Sequence, residues 1–107
     1  MVHLIDPVEL HFEQAKARST SSGIELGSIT KGEARCLTAS SNSADAVLLS
    51  GPLYHLVERS VRLMALREAR RILKPQGVLI AAAISRFASL MHGLARGFFM
   101  TRCNERT

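Results

Sequence analysis

Short apolar runs alternate with helix-like segments along this 107-residue chain. The apolar runs at residues 2–5, 46–49 and 78–84 have the length and composition of buried strands, and residues 24–31 show a weaker strand pattern. Strands that alternate with helices form parallel sheets, because each helix carries the chain back across one face of the sheet. The order of segments therefore predicts an α/β fold in which mostly parallel strands are flanked by helices.

The first helix is predicted to follow Asp6. The Asp6 side chain can cap this helix, with Pro7 in its first turn and Glu9 at the reciprocal capping position. Residues 19–23 are serine, threonine and glycine, so we expect the helix to fade in that stretch.

A long helix is predicted over residues 57–73 and a shorter one over residues 87–99. The Lys-Pro-Gln-Gly sequence at 74–77 ends the long helix, because proline and glycine do not continue a helical pattern. One apolar stripe of this helix is expected to face the core. Its members are Ala65, Leu66, Ala69, Ile72 and Leu73.

The net charge of +5 raises the question of nucleic-acid binding. Most of the excess lies in the long predicted helix, where a solvated helix face explains it. These residues are Arg59, Arg62, Arg67, Arg70, Arg71 and Lys74. One tyrosine and four phenylalanines leave few rings that could stack on bases, so we expect no nucleic-acid partner.

Neither a membrane nor a metal ion is an expected partner. No apolar run approaches the roughly 18 to 20 residues that cross a bilayer, and the first residues lack the basic region of a signal peptide. Cys36 and Cys103 are far apart, and His3, His11 and His92 show no metal-ligand spacing. The sequence therefore predicts a reduced, cytoplasmic protein without a metal site.

Four segments, in their order along the chain, carry a resemblance to a known family. Asp6 follows one strand and Gly-Glu-Ala at 32–34 follows the next. Residues 45–56 read Asp-Ala-Val-Leu-Leu-Ser-Gly-Pro-Leu-Tyr-His-Leu, and residues 73–80 read Leu-Lys-Pro-Gln-Gly-Val-Leu-Ile. The ordered set resembles the second to fifth strands, with their loops, of class I S-adenosylmethionine-dependent methyltransferases. The resemblance covers residues 2–94 and implies a partial Rossmann-like methyltransferase sheet.

This resemblance implies S-adenosylmethionine as the cofactor and methyl transfer to a small-molecule acceptor. Asp6 would accept hydrogen bonds from both ribose hydroxyls, although the same residue could act only as a helix cap. Glu33, beside Ala34, would approach the exocyclic amine of adenine, or it could be an exposed acid of a turn. Ser50 and Gly51 would complete the cofactor site.

The loop that carries Tyr54 and His55 faces the transferring methyl group in the family. By this resemblance His55 could act as general base for a hydroxyl or amine nucleophile, because histidine takes up protons near neutral pH. The alternative is a structural histidine that is hydrogen-bonded to nearby backbone. Arg86, just after the last predicted strand, could meet an anionic substrate or lie in solvent.

The family's first strand and glycine-rich loop have no counterpart in this sequence. In the family that strand lies between the second and fourth strands, so the strands at 2–5 and 46–49 are expected to lose a neighbour. Residues 1–97 are therefore predicted to form a truncated methyltransferase-like domain, followed by a polar tail at 98–107.

The missing strand leads to two readings of function. The chain could transfer a methyl group with impaired activity, or it could be a non-catalytic α/β scaffold or oligomerisation module derived from a methyltransferase. A homo-oligomer that pairs the exposed strand edges would restore the lost backbone hydrogen bonds.

Overall fold

A computed structural model describes residues 1–97 of the chain, and within them strands and helices alternate. The elements are β1 (Val2–Asp6), α1 (Glu9–Ser22), β2 (Leu26–Lys31), β3 (Ala44–Leu49), α2 (Pro52–His55), α3 (Arg59–Ile72), β4 (Leu73–Ala81) and α4 (Ala88–Arg96). The predicted α/β class is confirmed, and each predicted strand has a counterpart. The predicted tail at 98–107 lies outside the described residues.

The strands form two separate parallel pairs. β1 pairs with β2, with Asp6 opposite Lys31 at the carboxyl ends, and β3 pairs with β4, with Leu49 opposite Ala81. Within residues 1–97, β1 and β3 each have one strand neighbour. β1 and β3 are the two strands that were expected to lose the neighbour between them, and they lie in different pairs.

A small core lies between α3 and the β3–β4 pair. Its buried apolar residues are Leu49, Ala65, Ala69 and Ile72. The three helical members belong to the predicted apolar stripe, and the alanines allow α3 to approach the strands closely. Burial of the Leu49 and Ile72 side chains contributes about 1.5–3 kcal/mol each. This core fixes α3 against the strand whose carboxyl end carries Ser50 and Gly51.

The opposite face of the β3–β4 pair is apolar and open. Ala46 lies opposite Val78, and Leu48 lies opposite Ile80, so all four share one face. Leu48 is 71% exposed and Ile80 is 59% exposed. Parallel strands are normally covered on both faces. The Cα radius of gyration of 18.5 Å, against about 13 Å for a compact chain of this length, agrees with incomplete packing.

The predicted helix cap at Asp6 is wrong. Helix α1 begins at Glu9 with Val8 as its N-cap residue, so Pro7 precedes the helix and Glu9 is its first residue instead of the capping partner. Asp6 is the last residue of β1, and its Oδ1 accepts a hydrogen bond from the Val8 N–H at 2.7 Å. The aspartate stabilises the turn between strand and helix, which is a common role for this residue type.

Other predicted boundaries shift because short turns intervene. The four-residue helix α2 was not predicted, and α3 begins at Arg59 instead of residue 57 because Glu58 is extended. Strand β4 spans Leu73–Ala81 instead of residues 78–84, since it pairs with β3 from its first residue. Helix α4 ends before Gly97, whose φ of 71° stops it.

Candidate functional site

Asp6 lies at the carboxyl end of β1, beside the turn that follows β2. Its backbone oxygen accepts a hydrogen bond from the Gly32 N–H at 3.2 Å, and its Oδ2 lies 2.9 Å from His11 Nδ1. Partial burial raises the pKa of Asp6, but hydrogen bonds from His11 and the Val8 N–H lower it, so that the net pKa lies below the usual 3.8. Asp6 is therefore an ionised acceptor, and a quarter of its side chain is exposed.

The turn after β2 carries the second predicted site residue. The Cys36 N–H donates to the Glu33 backbone oxygen at 3.2 Å and closes the turn around half-buried Ala34. Arg35 donates two hydrogen bonds to Oε2 of Glu33, one of them from Nε at 3.0 Å. The Glu33 side chain is 56% exposed. The structure thus brings Asp6 and Glu33 to the same strand ends, with Glu33 held by its own neighbour.

A partly buried carboxylate–guanidinium pair on α3 holds the next part of the loop. Glu68 accepts a hydrogen bond from the Leu37 N–H at 2.8 Å and two from Arg71 at 2.8 and 2.9 Å. Arg71 also donates to the backbone oxygens of Leu37 at 3.0 Å and Ala39 at 2.9 Å, and to the Ser41 hydroxyl at 3.2 Å. We call Glu68 and Arg71 the loop clamp. Four-fifths of the Glu68 side chain is shielded from solvent.

Hydrogen bonds set the charge state of the loop clamp. Those from Arg71 and then the Leu37 N–H lower the pKa of Glu68 from 4.5 to about 2, and Glu68 raises the pKa of Arg71. The charge pattern predicted that Arg71 lies on a solvated helix face, but in the structure Arg71 is half-buried and paired with Glu68. Its spacing of three residues from Glu68 is a detectable signal for an ion pair, but the sequence does not show that both residues bind a distant loop.

Gly51 forms the tight connection after β3. Its φ of 113° and ψ of −57° are accessible to glycine and strained for other residues. Its backbone oxygen accepts hydrogen bonds from the Tyr54 N–H at 3.1 Å and the His55 N–H at 3.0 Å, which form the first turn of α2. Ser50, between β3 and Gly51, is exposed. The rings of Tyr54 and His55 are 4.9 Å apart between centroids. Tyr54 and His55 were expected in the loop after this strand, but in the structure both lie in the short helix α2 that follows it.

Tyr54 borders an open cleft of about 720 Å³ between α2, the start of α3 and the segment after β4. His55 contacts the Tyr54 ring but is not among the residues that line the cleft. The lining residues are Leu53, Tyr54, Leu56, Val57, Arg59, Arg62, Leu63, Leu66, Ala83, Ile84 and Arg86. Tyr54 is thus better placed than His55 to contact a molecule in this cleft.

The predicted site residues form two groups. Asp6, Glu33 and Ala34 lie at the ends of the β1–β2 pair, whereas the Ser50–His55 segment follows β3. In the part of the chain that the structure describes, no hydrogen bond or ion pair joins the two groups. Only a ligand that touched both groups would connect them.

Two further searches concern membranes and metals. Across residues 1–97, none of the helices is sufficiently long and apolar to cross a membrane. Over the same residues, histidine, cysteine and acidic side chains do not gather in groups of three that could hold a metal ion.

The fold is similar to the crystal structure of the PH0226 protein from Pyrococcus horikoshii OT3. The TM-score is 0.69 at 22% sequence identity, and the match covers 94% of this chain and 43% of that protein. This chain therefore spans less than half the length of the protein that it matches. At this identity the likeness shows the fold alone. The search of curated proteins found no match.

A family model described as a methyltransferase domain matches residues 1–77. The matched region extends from β1 to residue 77 within β4, so it includes both groups of site residues. It covers more than half of the 107 residues. The chain belongs to the methyltransferase-domain family, and its α/β fold corresponds to part of the class I S-adenosylmethionine-dependent methyltransferase fold.

Proposed function

We propose that this chain binds S-adenosylmethionine and takes part in methyl transfer to a small-molecule acceptor. The observation that carries the proposal is the position of an ionised acid, Asp6, beside the Glu33 turn at adjacent strand ends. Carboxyl ends of parallel strands are where nucleotide-like ligands bind in α/β sheets. The family match over residues 1–77 supports the same assignment.

Asp6 has the capacity to accept two ribose hydroxyls. The protein supplies one hydrogen bond to each carboxylate oxygen, from Val8 to Oδ1 and from His11 at Oδ2. An ionised carboxylate offers about four acceptor positions, so about two remain. The lowered pKa of Asp6 keeps these positions available as acceptors at neutral pH. The residue therefore fits the nucleoside half of the cofactor.

Glu33 is proposed to contact the adenine amine through Oε1. Arg35 donates both of its hydrogen bonds to Oε2, which fixes the carboxylate. Glu33 and the backbone of Ala34 would then face one edge of the base, whereas Asp6 holds the ribose. Removal of the Arg35 guanidinium should loosen this contact because the exposed Glu33 side chain would regain its rotamer freedom.

The segment after β3 is proposed to lie beside the reacting atoms. When bound, S-adenosylmethionine supplies a methyl group whose bond to sulfur breaks as an acceptor lone pair attacks it, leaving S-adenosylhomocysteine and a proton. Ser50 and the strained Gly51 backbone would contact the cofactor, and Tyr54 would position the acceptor in the cleft. His55, next to the Tyr54 ring, is the candidate to take up the proton.

Calorimetric titration with S-adenosylhomocysteine tests the proposed binding. Wild-type chain should bind saturably, and Asp6→Ala should weaken binding about tenfold or more because charge-assisted hydrogen bonds are lost. Asp45→Ala is the matched control, since Asp45 is 88% exposed at the opposite end of its strand and paired with Lys74. Absence of heat with a folded wild-type chain, or equal losses in both variants, would contradict the proposal.

The open apolar face favours a second function, a non-catalytic scaffold that self-associates. Leu48 and Ile80 are exposed on one face, and β1 and β3 each pair on a single side within residues 1–97. A second copy of this chain would cover that face and pair those edges, because it presents the same apolar surface and the same unpaired groups. In this alternative, methyl transfer by the isolated chain is impaired.

A further inference from the structure

The cleft beside α2 is lined by apolar side chains and by arginines. Leu53, Leu56, Leu63 and Ile84 provide apolar surface, and the Tyr54 ring adds an aromatic edge. Its volume of about 720 Å³ lies in the range of small-molecule sites, roughly 300–1,000 Å³. A molecule with an apolar body therefore gains from burial there.

Three arginines and no acid line the same cleft. Arg59 and Arg62 come from the start of α3, and Arg86 comes from the segment after β4. In the span that the structure describes, none of the three is in an ion pair. The cleft consequently holds three positive charges without a balancing carboxylate of its own.

Two of these guanidinium groups are held in place. Arg62 donates from Nη1 to the backbone oxygens of Leu56, at 3.0 Å, and Val57. Arg86 lies with its Cζ 4.8 Å from the centroid of the Phe87 ring. Because these contacts already restrain both side chains, each side chain loses less rotamer freedom when a ligand binds. They leave other guanidinium N–H groups as donors.

We propose that the cleft binds a small carboxylic acid with an apolar body, and that an acid of this class with a hydroxyl or amine group is the methyl acceptor. The hydroxyl oxygen or amine nitrogen forms the bond to the methyl carbon as the bond from methyl to sulfur breaks, and the released proton passes to His55. The carboxylate accepts hydrogen bonds from Arg59 and Arg86, because guanidinium forks match carboxylate geometry. Arg62 adds positive charge, and the apolar body lies against the leucines and Tyr54. The acceptor role rests on the proposed methyl transfer, whereas binding of the acid does not.

An NMR titration of the full 107-residue chain with 4-phenylbutyrate tests the site, and 4-phenylbutanol serves as its uncharged analogue. We expect saturable shifts at the amides of residues 53–57 and 83–86, and weaker binding of the alcohol. The double variant Arg59→Gln/Arg86→Gln should bind the acid about tenfold more weakly, since two charged hydrogen-bond donors are lost. Arg67→Gln/Arg70→Gln removes the same charge from exposed positions of α3 outside the cleft and should change binding less than about twofold.

Three results would overturn the proposal: equal binding of acid and alcohol, equal losses in both double variants, or no shifts at these amides in a folded chain. Circular dichroism of each variant shows whether it has folded. The outcome is separable from the cofactor proposal. If phenylbutyrate binds and S-adenosylhomocysteine does not, the methyl-transfer proposal is contradicted and the acid-binding proposal stands. If S-adenosylhomocysteine binds and phenylbutyrate does not, only the acid-binding proposal is contradicted.

Discussion

At the scale of single residues, the backbone conformation of Gly51 determines how the chain turns after β3 into the candidate site. The Ser-Gly-Pro sequence indicates a turn, but only the structure shows a φ of 113°. A Cβ added there would lie 3.6 Å from His55 Cδ2, an ordinary contact. Backbone conformation, and not lack of space, therefore requires glycine at this position.

Replacement of this glycine should destabilise the chain. Gly51→Ala places a side chain in a strained backbone region and should reduce the free energy of unfolding by about 1–3 kcal/mol. Urea unfolding followed by circular dichroism measures the change. Ser50→Ala, at the exposed neighbouring position, should leave the urea midpoint nearly unchanged. Equal midpoints for Gly51→Ala and wild type would contradict the strained conformation.

At the scale of elements, helix α3 connects the two parts of the candidate site. Its inner face packs on β3 and β4 through Ala65, Ala69 and Ile72. Its loop clamp, Glu68 and Arg71, holds the connection between β2 and β3 through hydrogen bonds to Leu37 and its neighbours. The turn that carries Glu33 ends at Cys36, one residue before this attachment.

The loop clamp predicts a specific dependence of stability on pH. The pKa of Glu68 is about 2 in the folded chain against a usual 4.5. Its stabilisation is therefore fully present above pH 4.5 and is lost as the pH falls towards 2. Glu68→Gln should lower the unfolding temperature at pH 7, and the difference from wild type should shrink between pH 4.5 and 2.

Thermal unfolding at a series of pH values measures this effect. Glu58→Gln provides the control, because Glu58 is exposed and its side chain does not cap α3. A difference between Glu68→Gln and wild type that stays constant from pH 7 to 2 would show that the Glu68 charge does not stabilise the loop.

Local patterns predicted most elements, but not the contacts between them. Apolar runs located β1, β3 and β4, a weaker pattern located β2, and the Lys-Pro-Gln-Gly sequence correctly ended α3. The helix α2 was missed because four residues are too few for a periodic pattern. The cap at Asp6 was wrong because a turn of two residues separates β1 from α1, and the same carboxylate serves that turn. The loop clamp depends on tertiary proximity, which no local pattern contains.

At the scale of the whole molecule, more large apolar side chains of the described part are exposed than are buried. Four apolar residues of the described part are buried, and two of them are alanines, whereas Leu48, Val78 and Ile80 are more than half exposed on one sheet face. Exposed apolar patches of this kind mark interaction surfaces. If the chain is a scaffold that self-associates through this face, its mass in solution should exceed that of one chain.

Self-association should depend on the open face of the β3–β4 pair. Light scattering should give about twice the chain mass of 11.7 kDa for wild type, and Leu48→Lys should return it to the monomer because burial of the charge is unfavourable. Thr38→Lys adds the same charge at an exposed loop position and should remain a dimer. A well-folded wild-type monomer would count against the scaffold alternative.

The proposed function requires that both groups of site residues bind one cofactor molecule. Amide NMR spectra recorded during titration with S-adenosylhomocysteine test it most directly. The Asp6 and Glu33 amides and those of Ser50 and Gly51 should shift along one binding curve with a single dissociation constant. Shifts confined to one group, or different constants for the two, would show that the strand ends do not form a common site.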